Sequence, residues 1–89
     1  MQRDSIFQAI IEERQRQDTI HPLPTARKQD SEDVRAMQAI ILFNEMLAVL
    51  IEEVGEVGKA LQGEGELEEE LIQVAAVCVR WLELKNPAE

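Results

Sequence analysis

The sequence predicts a small all-α protein, and three observations carry that reading. Apolar residues recur at helical spacing in two stretches: Leu47, Leu50, Ile51, Val54, Val57 and Leu61, then Leu67, Leu71, Val74, Ala75, Cys78 and Leu82. Between them stands one glycine-rich turn, Gly63 and Gly65, which makes the two stretches a helical hairpin. The third observation is the lack of alternating apolar and polar runs. VAAVCV is the one β-prone run, and the 3.6-residue period on both sides of it outweighs six residues.

The elements follow in order, within one domain covering residues 1–89. Asp4 or Ser5 can cap a first helix over 5–17, with Ile6, Phe7, Ile10 and Ile11 on its apolar side. Residues 18–33 contain HPLPTARKQDSED, with two prolines and no helical period, and read as a loop. Asp30 or Ser31 offers the next cap, and a helix over 34–62 runs unbroken or breaks near Asn44. The last helix covers 66–84. A chain of 89 residues with one Trp, two Phe and no Tyr buries a modest core, so completion of the bundle by oligomerisation is expected.

Composition narrows the function classes. A formal charge of −9 repels nucleic-acid backbones and anionic membranes, so neither is expected as a partner. The first residues lack a basic start and an apolar core of signal-peptide length, and no uninterrupted apolar run reaches the ~20 residues of a membrane span. A cytoplasmic protein is expected. Cys78, the sole cysteine, rules out an intrachain disulfide and reads as an inert thiol on an apolar helix face.

The chemistry is concentrated in carboxylates. Glu56 and Glu70 lie seven residues either side of Gly63, and Glu53 and Gln73 lie ten either side. In an antiparallel hairpin, equal offsets bring the four side chains to one level. On helical wheels Glu53, Glu56 and Glu70 border the apolar stripes, whereas Glu52 points outward. Three partly desolvated carboxylates within reach repel one another, and a cation relieves the repulsion. Oxygen donors of this kind suit Mg²⁺ or Mn²⁺. Glu is also a good helix former, and acids in a first turn complement the helix dipole, so a purely structural face remains an alternative.

The segment EEVGE, followed after thirteen residues by ELIQ, resembles the E-E-x-x-E … E-x-x-D signature of MazG-type nucleotide pyrophosphohydrolases. LAVLIEEVGEVGKAL, LEEELIQVAAVCVRWLE and the earlier EERQRQD extend the likeness, loosely over 6–17 and more fully over 45–84. The resemblance implies a helical dimer or tetramer that hydrolyses a nucleoside triphosphate to the monophosphate and pyrophosphate with Mg²⁺. It implies Glu53, Glu56 and Glu70 as metal ligands, with Glu52 or Glu53 orienting or deprotonating the attacking water. The family's Asp is Gln73 here, whose carbonyl can ligate a hard cation but brings no charge. Lys59, Arg80, Arg14 and Trp81 are the candidate substrate contacts, with Arg16 and Asp18 of EERQRQD beside Arg14. Two other readings keep the fold without the reaction: a nucleotide- or metal-binding regulator, and a structural dimerising bundle.

Overall fold

The computed structural model describes residues 1–21 and 31–85. It contains three helices, α1 (Arg3–Ile20), α2 (Glu32–Leu61) and α3 (Leu67–Lys85), with no strand among the described residues. The protein is all-α.

Local chemistry explains the helix ends. Gln2 occupies the N-cap of α1 without a side-chain cap bond, so Asp4 and Ser5 lie inside the helix rather than before it. Asp4 instead sits in the first turn, where its charge faces the helix dipole favourably. The far end of α1 continues to Ile20, past the Gln17 limit read from the sequence. Arg80 of α3 supports the extension: its guanidinium donates to the carbonyl of His21, just past the helix end, and to that of Gln17, which also accepts the His21 amide. Residues 22–30, the greater part of the expected loop, lie outside the described residues.

Ser31 caps α2, its hydroxyl accepting from the Val34 amide at 3.2 Å, with Glu32 and Asp33 in the first turn. No break occurs at Asn44; α2 is one helix of 30 residues. It ends in a Schellman pattern, with Glu64 N–H donating to Lys59 O at 2.9 Å and Gly63 N–H to Ala60 O at 3.1 Å. Gly63 adopts φ +90° and Gly65 φ +131°, conformations in which a Cβ is strained.

Helix α3 is the middle element: it packs against α2 and against α1, while α1 and α2 do not pack on each other. The fully enclosed apolar core is correspondingly small, comprising Met46, Ala76 and Val77. Phe43 and Trp81 add an edge-to-face ring pair across α2 and α3, with centroids 5.4 Å apart. The molecule is elongated. Its radius of gyration is 15.1 Å, against roughly 12 Å for a compact globule of this length.

The apolar stripe of α2 does not face inward as its period suggested. Leu47, Ile51, Val54 and Leu61 are exposed in the single chain, whereas Leu50 and Val57 are half-buried. On α3, Leu71 and Leu82 are also exposed, and Cys78 is half-buried. The reason is geometric: a middle helix in a three-helix layer covers one side of its neighbour only. By length and composition alone, an 18-residue stretch of α2 is also apolar enough to cross a membrane.

Candidate functional site

A cleft of about 510 Å³ separates α1 from α2, with α3 as its floor. That volume falls within the ~300–1,000 Å³ typical of small-molecule sites. Met46, Val49 and Val77 form its apolar interior. One side of the rim carries Glu13 and Arg16 from α1, and the other carries Glu45, Glu52 and Glu53 from α2. Gln73 and Arg80 enter from α3.

The hairpin brings together three of the four positions found at matched offsets. Hydrogen bonding fixes the orientation of the Gln73 amide, because only with Nε2 turned to the carboxylates are its groups satisfied. In that orientation Nε2 donates to Glu53 Oε2 at 2.9 Å and to Glu70 Oε2 at 3.1 Å. Gln73 thus bridges a carboxylate from each helix. Glu53, Glu70 and Gln73 are all half-buried, and Glu52 is exposed, as the wheel geometry has it.

The electrostatics follow from this placement. Burial raises the Glu53 carboxyl above its ordinary value, and the charges of Glu70, Glu52, Glu56 and Glu13 push it in the same direction. Glu56, one turn further along α2, turns instead to Lys59 at 3.3 Å. Among the described residues no group of three or more His, Cys, Asp or Glu side chains is arranged to hold a metal ion. The donor set at Glu53, Glu70 and Gln73 nevertheless fits a hard cation. Half a turn of the carboxamide replaces its N–H donor with a carbonyl oxygen, giving two carboxylates and one neutral oxygen.

The candidate substrate contacts divide sharply. Arg80 lines the cleft but is already engaged with the α1 carbonyls, and its Nε is buried without a partner. Burial lowers its pKa from the ordinary value, and the nearby Arg14 charge adds to that effect. Arg14 is held outside the cleft. It is buried between helices, with Nε and Nη2 on Glu83 at 2.7 and 3.0 Å and Nη1 on Asp18 at 2.6 Å. Lys59 is exposed beside Glu56, also outside the cleft lining. Trp81 packs on Phe43, with its indole N–H buried and unpartnered.

Sequence reasoning gave no particular weight to Gln17 and Glu13, whereas Arg16 stood among the EERQRQD side chains that could meet the base or phosphates. Arg16 lines the cleft and pairs with Glu13 through two bonds at 2.7 and 2.6 Å. Gln17, also lining it, is buried with Oε1 unpartnered. EERQRQD looked like a uniformly polar helix end. Only the placement of α1 on α3 shows which of its side chains turn to the cleft. Comparison with models of known protein families, with curated proteins and with solved structures finds no match.

Proposed function

We propose that this chain is a MazG-like, Mg²⁺-dependent nucleoside triphosphate pyrophosphohydrolase that releases a nucleoside monophosphate and pyrophosphate, with Mn²⁺ able to replace Mg²⁺. The observation that carries the proposal is the Glu53–Gln73–Glu70 bridge, whose Glu53 and Gln73 line a 510 Å³ cleft. The E-E-x-x-E … E-x-x-Q pattern supplies the choice of reaction. In this reading the protein is cytoplasmic and works as a homodimer or homotetramer, without nucleic-acid or membrane partners.

Each group has a defined task. Glu53, Glu70 and the Gln73 carbonyl would hold the cation, with Glu56 as a further carboxylate nearby on α2. When bound, the cation offsets the negative charge of a polyphosphate and polarises the phosphorus–oxygen bond under attack. Glu53 lines the cleft together with the exposed Glu52 and is the candidate base. It takes the proton from the attacking water, and the exposed Glu52 beside it helps orient that water. Arg16 meets the polyphosphate by exchanging Glu13 for phosphate oxygens. Met46, Val49 and Val77 offer an apolar bed to the base.

The test is pyrophosphate release from a panel of standard and modified nucleoside triphosphates with Mg²⁺ or Mn²⁺. Turnover that Glu53→Gln abolishes supports the proposal; absence of turnover across the panel sinks it. One observation favours a second reading, a nucleotide-binding regulator of the same fold. Gln73 already hydrogen-bonds both carboxylates and so occupies oxygens that a cation would otherwise take. Nucleotide binding without turnover selects that reading.

A further inference from the structure

Six of the ten exposed large apolar residues of α2 share one repeat, and Val34, Ile41, Phe43 and Val49 stand off it. Met37, Ile40, Asn44, Leu47, Ile51, Val54, Gly58 and Leu61 follow alternating steps of three and four residues without a break. This is the a/d repeat of a coiled-coil seam, extending about 36 Å along the helix. All eight residues are exposed. Met37, Ile40, Ile51 and Leu61 reach 64, 62, 63 and 71 % exposure, which in a single chain leaves their apolar surface in water. None of the eight lines the cleft, and none carries a charge.

We infer that this seam is the docking surface for the α2 seam of a second copy of the chain, with Asn44 setting the register. Three observations favour that occupant. A strict seven-residue repeat serves helix-on-helix packing, in which each a or d side chain enters a hole on a matching helix. A lone Asn at an a position is the device that fixes register and oligomer number at some cost in stability. The area also agrees. The chain exposes 6922 Å², about 1,600 Å² more than a compact monomer of its mass, and a stable interface needs roughly 800 Å² per partner.

A membrane is the weaker occupant. Glu45, Glu52, Glu53 and Glu56 stand on the same helix, and the chain's charge of −9 opposes an anionic surface. The inference specifies the face used by the assembly proposed above and does not require turnover. Two copies joined this way leave both clefts open.

Sedimentation equilibrium of the full chain tests it, with circular dichroism on the same samples. The wild type is expected at twice the 10.1 kDa chain mass. Leu47→Lys with Ile51→Lys is expected to weaken association by about a hundredfold or more, because both ammonium groups would be buried at the seam. Gln15→Lys with Thr19→Lys, the same charge change on exposed positions of α1, leaves the mass unchanged. Should the seam double variant unfold, Asn44→Leu decides. It is expected to lower the dissociation constant by roughly tenfold or to admit higher oligomers. A monomeric wild type at about 100 μM, a dimer indifferent to the seam lysines, or an Asn44→Leu variant with unchanged association each overturns the inference. So does a monomer that binds phosphatidylcholine–phosphatidylglycerol vesicles through α2.

Discussion

Replacing Gln73 with Asp probes the bridge most sharply, because the variant exchanges a donor to two carboxylates for a third carboxylate. The amide's bonds to Glu53 at 2.9 Å and Glu70 at 3.1 Å disappear. At half-buried positions these two bonds together contribute about 1 kcal/mol after solvent competition. The new charge meets two like charges at close range. At a high effective dielectric, suited to partly exposed groups, this adds roughly 1–2 kcal/mol, with Glu53 taking up a proton to limit the repulsion. In EDTA at pH 7.5 the variant should therefore lose about 2–3 kcal/mol, which for a domain this small lowers Tm by about 10–20 °C. Mg²⁺ should reverse the loss, since a cation at a hundred times its Kd stabilises by about 2.7 kcal/mol. The assay is thermal unfolding followed by circular dichroism across a Mg²⁺ titration at fixed protein concentration. A larger Mg²⁺ response in Gln73→Asp than in wild type is the expected result. Equal melting of the two proteins in EDTA, or no Mg²⁺ response in either, would refute the reasoning.

Other perturbations isolate single terms. Because the Glu53 carboxyl is raised in the folded state, its ionisation opposes folding at neutral pH, and this cost is absent below its unfolded value near 4.5. Glu53→Gln should accordingly raise Tm at pH 7.5 without divalent cations, and the gain should vanish as the pH falls toward 4.5; a gain constant across that range contradicts the placement. Arg14→Met removes the bidentate pair with Glu83 that joins α1 to α3. With both carboxylate partners about half exposed, the loss should be about 1–2 kcal/mol, and hydrogen exchange should show α1 amides losing protection before those of α2. Uniform loss of protection across the three helices would mean that α1 is held by other contacts.

Much of the fold was legible because local rules govern it. Ser31 announces the start of α2 by its hydroxyl, and the turn after Leu61 announces itself by Gly63, where positive φ suits glycine. The half-buried standing of Glu53, Glu56 and Glu70 was legible too, since helical angle determines it. What escaped depends on tertiary placement. Arg14 and Glu83 are 69 residues apart, and no periodic pattern links them. Without that pair, Arg14 looked available for a ligand. The end of α1 depends on Arg80, 63 residues beyond Gln17. The outward direction of the α2 stripe escaped for another reason. Periodicity shows that residues share a face but not which neighbour covers it, and α2 has apolar residues toward α3 and away from it. Gln73 was read as a carbonyl ligand from its chemistry; that its N–H donates to both carboxylates follows only from their convergence.

The central claim is that a divalent cation seats among Glu53, Glu70 and Gln73, and paramagnetic broadening locates such a cation directly. Trace Mn²⁺ is added to the full chain labelled with ¹⁵N and ¹³C, and signal loss is mapped with and without excess Mg²⁺. The account predicts that the Gln73 side-chain amide and the Glu53 and Glu70 carboxyl signals broaden first, that Mg²⁺ restores them, and that Glu53→Gln weakens the effect. Broadening centred on the exposed acids Glu64, Glu66, Glu68 and Glu69, with Gln73 untouched, would contradict it.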